Sequence, residues 1–337
     1  MDGQKPLRGA VLGLGMIGRH HARILQSGAN VTFAGAVDPG GDRFGAVRDP
    51  AQLYDSIDAL LAAGPAPEFA VVAVPTEEHV SAVAQLTGAG TSVLVEKPLA
   101  STSDEARAII AAVERAGVRG AVGHVERYNP ALLAALEHID ALGEVFTIAT
   151  ERVGPFPDRI KDVGVVKDLA THDLDLVRWL GASPVEVVAA QTSHRMGRAH
   201  EDLVLVTGRL GSGVTFNCQV DWLTPTKRRR TRILGARGML AADTLTGDLT
   251  FFENADVAIE WDTTQQLRGV SEGNSTRYAL QRREPLLVEH EAFWAYVAGD
   301  DAAPVVPLEA GLETVLTAEA VLASARSGES VRLAPAP

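Results

Sequence analysis

The chain has 337 residues, 46% of them hydrophobic, and a formal net charge of −12. That length supports about two domains, each able to bury its own core, and the absence of low-complexity tracts argues against disorder. The acidic balance argues against nucleic-acid binding, no apolar run is long enough to span a bilayer, and the lone Cys218 excludes an intramolecular disulfide or a cysteine zinc cluster. The opening MDGQKPLRG carries no apolar signal-peptide core, and the expected setting is the reducing cytoplasm.

In chain order, residues 8–12 (RGAVL) read as a short buried strand, and Gly13-Leu14-Gly15-Met16-Ile17-Gly18 opens a segment, RHHARILQSG, with helical character. Glycines there permit a tight turn and close approach of backbone to a pyrophosphate, and the helix N-terminus offers its N–H groups to the phosphates. Residues 31–37 form a second strand. Asp38 ends it about 20 residues beyond the glycines, where a ribose-binding acid belongs. Its carboxylate can accept hydrogen bonds from the ribose hydroxyls of NAD but would repel the 2′-phosphate of NADP. NAD is therefore the expected cofactor, with Arg43 near enough in sequence to serve NADP if Asp38 turned away.

Further apolar strands are expected at 69–74 and 92–95, with helices at 56–63, 77–88 and 103–116. This alternation implies a parallel, doubly wound sheet. Pro75, Thr76 and His79 mark a turn, in which Thr76 reads as a helix N-cap followed by the favourable Glu77 and Glu78. Glu96-Lys97-Pro98 follows an apolar strand, which puts Lys97 at a strand's carboxyl end, where open α/β sheets bind ligands.

The texture changes near residue 125. After a helix at 130–139, strands are expected at 144–151, 185–191, 202–210 and 213–222, an antiparallel sheet with helices on one face and the other face left for a partner. The fold class is thus α/β: a Rossmann-type doubly wound parallel sheet over 1–125, then an α+β domain over 126–337. That second domain carries a large, mostly antiparallel open sheet, expected to serve substrate binding and assembly into a homodimer or homotetramer. Residues 308–327 return to helical periodicity.

Two features carry chemistry in the second part. GPFPDRIKDVGVVKDLATHDLDLVRWL, residues 154–180, places Asp168, His172 and Asp175 at i, i+4 and i+7 of one helix, so that an imidazole between two carboxylates can point into one cleft. The same spacing also occurs on ordinary polar helix faces. Lys227-Arg228-Arg229-Arg230 lies on an expected strand, where alternation puts Lys227 and Arg229 on one side and Arg228 and Arg230 on the other. Two cations near a cleft suit a diphosphate, with Arg159 as a third; a solvated basic face is the plainer reading. His194 and His200 read as surface residues, and no metal site is expected.

The ordered motifs GLGMIGRHHARIL, VAVPTEEH, VEKP, GHVERYNP and DLATHDLD resemble the glucose–fructose oxidoreductase, inositol dehydrogenase and rhizopine-catabolism (Gfo/Idh/MocA) family across nearly the whole chain. GPFPDRIKDVGVV, WLTPTKRRR and REPLLVEH further resemble its branch of UDP-N-acetylglucosamine 3-dehydrogenases and related nucleotide-sugar oxidoreductases. The resemblance implies cofactor contacts from Gly13, Gly15, Met16, Ile17, Gly18, Asp38, Pro75, Thr76, His79, Glu96 and Lys97. It implies that Lys97 touches both the substrate hydroxyl and the nicotinamide ribose, and that His172 is the acid/base beside Asp168. Arg127, Tyr128 and Asn129 are implied at the mouth of the cleft, and Arg159, Asp168, His172, Lys227 and Arg229 against the substrate. Val163 precedes Gly164 where many members carry two glycines, a difference that the nucleotide-sugar branch shares.

The implied reaction is NAD-dependent oxidation of a secondary hydroxyl of a nucleotide sugar, the 3-hydroxyl of a UDP-N-acetylhexosamine, or the reverse reduction. A dehydrogenase of a free sugar or inositol would share every catalytic residue without needing Lys227 and Arg229 as phosphate ligands. A non-catalytic NAD-sensing protein would have no reason to keep Lys97 and His172 together.

Overall fold

The computed structural model describes residues 5–157, 163–255 and 272–334. Six parallel strands form the first sheet: β1 (Leu7–Leu12), β2 (Val31–Val37), β3 (Leu53–Tyr54), β4 (Phe69–Val72), β5 (Ser92–Glu96) and β6 (Gly120–Gly123), in the order β3-β2-β1-β4-β5-β6. β4 and β5 are buried along their whole length, as strands covered on both faces must be. The strand order reverses between β1 and β4, and the carboxyl ends there flank the point at which such sheets bind ligands.

The crossovers are α1 (Gly18–Ser27), α2 (Ile57–Ala62), α3 (His79–Gly88) and α4 (Ser103–Ala116). Local chemistry sets their ends: Ser56 caps α2 by accepting from Ala59 N, Thr102 and Glu105 form a capping box on α4, and Gly117 closes α4 in the left-handed region. Thr76 is not the N-cap expected of it. Pro75 supplies the extended residue at that position, so Thr76 becomes the first residue of a short 3-10 turn, Thr76–Glu78, that leads into α3.

Met1–Val125 forms one compact unit with Glu284–Glu319, so the second domain expected over 126–337 is interrupted. The returning segment holds α7 (Pro285–Val297) and the first part of α8 (Leu308–Ser327). Apolar packing brings it back. Phe293 meets Phe69 of β4 edge-to-face at 5.8 Å, both fully buried, and Trp294 lies over Gly28 at the end of α1.

The second unit comprises Glu126–Arg283 and Ala320–Pro337. It contains α5 (Pro130–Glu137), β7 (Val145–Pro155), α6 (Thr171–Leu180), β8 (Val185–Ser193), β9 (Leu203–Leu210), β10 (Thr215–Asp221), β11 (Leu223–Gly235), β12 (Gly238–Asp243), β13 (Asp248–Asn254), β14 (Glu272–Arg277) and β15 (Val331–Arg332). The nine strands run in the order β14-β13-β12-β11-β7-β10-β9-β8-β15, antiparallel throughout except for the parallel pair of β10 with β7. α6 packs on β7 and β10, and α5 on β12 and β13. The side they cover takes Ile148, Phe216 and Ile233 into the core, whereas Phe146, Leu205, Leu234 and Phe252 are exposed. No helix among the described residues is long and apolar enough to cross a membrane.

Candidate functional site

The first unit carries the nucleotide half. Gly13 leaves β1 at φ +84°, and a Cβ there would lie 2.5 Å from the carbonyl oxygen of Ala73. The turn therefore needs glycine twice over, for its backbone angle and for the close approach of the neighbouring chain. At Gly15 a Cβ would meet nothing within 4 Å, so the loop's own backbone faces open space. α1 starts at Gly18 with no side-chain cap, its Arg19 and His20 N–H groups donating to Gly15 O and Ile17 O, and the positive end of the helix at this loop favours an anion. Met16 and Ile17 stand exposed beside them.

Asp38 at the end of β2 accepts from Leu14 N through Oδ2 at 2.7 Å and from Gly40 N through Oδ1 at 2.8 Å. The acid expected to meet a ribose thus also braces the glycine loop. Arg43 lies next to it: a Cβ on Gly40 would sit 3.0 Å from Arg43 Nη2 and 3.2 Å from Asp38 Oδ1. These features fit a dinucleotide, with pyrophosphate at the α1 terminus and ribose at Asp38.

At the carboxyl ends of β4 and β5, Pro75 and Thr76 begin the 3-10 turn. Buried His79 places Nδ1 3.1 Å from Leu99 O and Nε2 3.1 Å from Val74 O. Burial lowers its pKa despite the two carbonyls, so the neutral ring has a single N–H and donates to one of them. Glu96 Oε2 accepts from the Lys97 amide at 3.1 Å.

The second unit carries the acid–base half. Val166–Ala170 is a π-helical turn that runs into α6. Asp168 and His172 are therefore not stacked one regular turn apart, as the spacing alone suggests; the wider turn shifts Asp168 around the helix, a distortion frequent at functional sites. Both residues are half-buried. Asp175 is buried, and Arg127 grips its two oxygens through Nε at 2.8 Å and Nη2 at 2.5 Å, with Arg178 at 3.5 Å.

Arg127 is thus an internal partner of α6 and also lies 5.6 Å from the ring of Trp179. Tyr128 is buried. Asn129 caps α5 by accepting from Ala131 N at 3.1 Å and donates to Thr244 O at 3.1 Å. Glu126, for which the sequence offers no role, accepts from Arg152 Nη1 at 2.8 Å, while Arg152 Nε donates to Asp173 at 2.6 Å. Burial opposes the Arg152 charge, but the Asp173 and Glu126 carboxylates hold it firmly protonated. Buried ion pairs at Asp173 and Asp175 thus anchor α6 just after His172 in the chain.

The approach to this helix is moored by Glu201. Val165 N donates to the Glu201 carbonyl at 3.0 Å, and Val166 N to Glu201 Oε1 at 3.1 Å. A Cβ on Gly164 would lie 2.0 Å from that oxygen, which accounts for the glycine in DVGVV.

The basic run lies on β11. From Arg228 onward its burial alternates: Arg228, Arg230 and Arg232 are exposed, while Arg229, Thr231 and Ile233 turn to the helix-covered side. Arg228 pairs with Glu151 at 3.4 Å and Arg230 with Asp243 at 3.6 Å. The register against β7 shifts between Leu223 and Arg228; Lys227 falls in that irregular stretch and is exposed, so the expected strict pairing of its face with Arg229 breaks down there. Arg229 Nη1 donates to Val153 O at 2.7 Å and to Arg228 O at 2.8 Å. Burial, reinforced by the Arg152 charge, lowers its pKa, and the Asp173, Glu126 and Asp168 carboxylates pull the other way. Arg159 lies outside the described residues.

Residues 7–124 match the model of an oxidoreductase family with an NAD-binding Rossmann fold, and residues 133–241 match the Gfo/Idh/MocA C-terminal domain. The chain belongs to the Gfo/Idh/MocA family. Among this family's members it is similar to the UDP-N-acetylglucosamine 3-dehydrogenase of Acidithiobacillus ferrooxidans, 28% identical over 94% of this chain and 98% of that one. A solved structure of that enzyme matches with a TM-score of 0.81 at 25% identity, over 96% of this chain and 99% of the other. The inositol 2-dehydrogenase 2 of Paenarthrobacter aurescens is 26% identical over 96% and 97% of the two chains. GenD2 from gentamicin A biosynthesis, solved in complex with NAD, is 26% identical with a TM-score of 0.79 over 98% and 97%. This Gfo/Idh/MocA protein is accordingly an oxidoreductase whose cofactor is NAD.

Proposed function

We propose that this protein is a dehydrogenase of a nucleotide-activated sugar, oxidising the 3-hydroxyl of a UDP-N-acetylhexosamine to a ketone or running the reverse reduction. The observation that carries this reading is Arg229. Its guanidinium is half-buried on the helix-covered side of β11, within reach of the Asp168 charge, with Nη1 fixed by two main-chain carbonyls. Its Nε and Nη2 edge makes no protein hydrogen bond among the described residues. A preorganised, partly desolvated fork of this kind suits a diphosphate, and a free polyol offers it no anion. Nearly full-length similarity to a UDP-N-acetylglucosamine 3-dehydrogenase supports the same substrate class.

Bound NAD supplies the hydride acceptor. On the protein's side, His172 takes the proton of the hydroxyl whose carbon loses the hydride, a task suited to an imidazole, which ordinarily titrates near neutrality. Asp168 stabilises the resulting cation. Lys97 donates a hydrogen bond to the developing alkoxide. Alcohol and oxidised cofactor thus become ketone, reduced cofactor and one proton.

Similarity to an inositol 2-dehydrogenase favours a second reading, in which the same Lys97, Asp168 and His172 act on a free polyol. UDP binding separates the two. The Lys227→Ala, Arg229→Ala double variant is expected to weaken UDP binding by tenfold or more, since each charge-assisted hydrogen bond contributes roughly 1.5–3 kcal/mol. Arg230→Ala, on the exposed face and paired with Asp243, should leave it nearly unchanged. Unaltered UDP affinity in the double variant would make the polyol dehydrogenase the better reading.

A further inference from the structure

Helix α7 brings back to the first unit two ionisable side chains that the proposed chemistry does not use, Glu289 and His290, which are 1% and 0% exposed. His290 Nε2 lies 2.8 Å from His21 Nδ1, and His21 Nε2 lies 2.9 Å from Glu96 Oε1. Glu96 Oε2 accepts from the backbone N–H of Lys97 at 3.1 Å. A continuous buried chain of hydrogen bonds therefore runs from α7 through α1 to the main chain of Lys97.

The order of protons along it follows from the partners. Burial opposes a charge on Glu96, but the His21 hydrogen bond, the charges of His21 and Lys97 and the Lys97 amide together hold its carboxyl below the usual range. Glu96 is thus a carboxylate, able only to accept, and His21 must donate to it from Nε2. Burial, with the charges of His21 and Arg23, keeps His290 well below its ordinary value and neutral. Glu289, next to Glu96, is pushed well above its ordinary value by burial and by the Glu96 charge, and its oxygens have no hydrogen-bond partner among the described residues. His79, the other buried ring near Glu96, has both nitrogens turned to main-chain carbonyls and does not compete for it.

A buried carboxylate is costly unless it is paired and hydrogen-bonded. The fold keeps a single carboxylate here, aims one of its oxygens at the Lys97 amide and provides two histidines behind the other. We propose that His21 is a positioning residue for Lys97: by donating to Glu96 it fixes the carboxylate that holds the Lys97 main chain, and His290, hydrogen-bonded to the far nitrogen of His21, holds the ring in that orientation. The inference rests on the reading of Lys97 as the residue that steadies the reacting oxygen.

The two nitrogens of His21 can be tested separately. In His21→Gln the side-chain amide nitrogen reaches about as far as Nε2 and keeps a donor for Glu96; in His21→Asn it reaches only about as far as Nδ1 and faces His290. With UDP-N-acetylglucosamine and NAD as probes, His21→Asn should lower kcat by about ten- to a hundredfold, the scale of a small displacement of a catalytic group, and leave the NAD dissociation constant unchanged. His21→Gln should restore kcat to near the parent value. Equal losses in the two variants would make His21 a packing residue and overturn the proposal, as would full activity in His21→Asn. Lys97→Ala separates this failure from that of the underlying reading: if it is nearly inactive while His21→Asn is fully active, only the positioning role falls, and if it is active, the role of Lys97 falls as well.

Discussion

Replacing Gly164 by alanine should loosen the start of the helix that carries Asp168 and His172, and the structure sets the size of the effect. The new methyl would occupy the place of Glu201 Oε1, 2.0 Å away, and the flexible carboxylate would swing aside. Val166 N would then lose its acceptor. Loss of a helix-terminal cap costs about 0.5–2 kcal/mol, and a buried donor left unpaired about 1–3, so about 2 kcal/mol is expected in urea unfolding followed by circular dichroism. Glu201→Ala removes the same acceptor and should cost a similar amount. The Gly164→Ala, Glu201→Ala double variant is the decisive one. With the carboxylate gone, the methyl introduced at position 164 has nothing to displace, so the pair should cost about 2 kcal/mol rather than the additive value of about 4. Full additivity would refute the argument that Gly164 exists to admit Glu201.

Asp38 should make NAD bind at least about tenfold tighter than NADP, about 1.4 kcal/mol; Asp38→Ser should narrow that gap in a titration and weaken both cofactors, because the brace on Leu14 N is altered too. Equal affinities in the parent would contradict the repulsion invoked for the 2′-phosphate. His172→Ala should reduce kcat on the order of 10²-fold or more with the NAD dissociation constant unchanged, and an active variant would move the acid–base role elsewhere. Arg152→Met should destabilise by about 3–5 kcal/mol, because it leaves the Asp173 and Glu126 charges without their buried partner; a loss below about 1 kcal/mol would mean that these carboxylates find other compensation.

The parts of the site legible in the sequence are those written locally. Gly13, Gly15, Gly18 and Asp38 stand at fixed offsets on one strand–turn–helix–strand unit, so their spacing alone places them. The helix bearing His172 and the strand bearing Arg229 are visible for the same reason. What the sequence hides is long-range. Glu201 seats on Gly164 from the far side of a hairpin, Arg127 reaches Asp175 across 48 residues, and His21 meets His290 across 269. None of these pairings leaves a periodic signal, because side chains meet wherever the topology delivers them.

Two features go unread for subtler reasons. α7 is apolar around most of its circumference, so REPLLVEH shows no amphipathic stripe to announce a helix returning to the first unit. The π turn at Val166–Ala170 differs from an α-helix by one residue per turn, which a spacing argument over three side chains cannot resolve.

The most direct test of the whole account is turnover of a substrate panel by the unmodified protein with NAD, read by NADH absorbance and by product mass. The panel should hold UDP-N-acetylglucosamine, other UDP sugars, the corresponding free sugars and myo-inositol. The account predicts NADH formation with a UDP-N-acetylhexosamine and a product lighter by two hydrogens, with little or no turnover of free sugars or inositol. Turnover confined to inositol or a free sugar would contradict the nucleotide-sugar assignment and leave Arg229 without its proposed ligand.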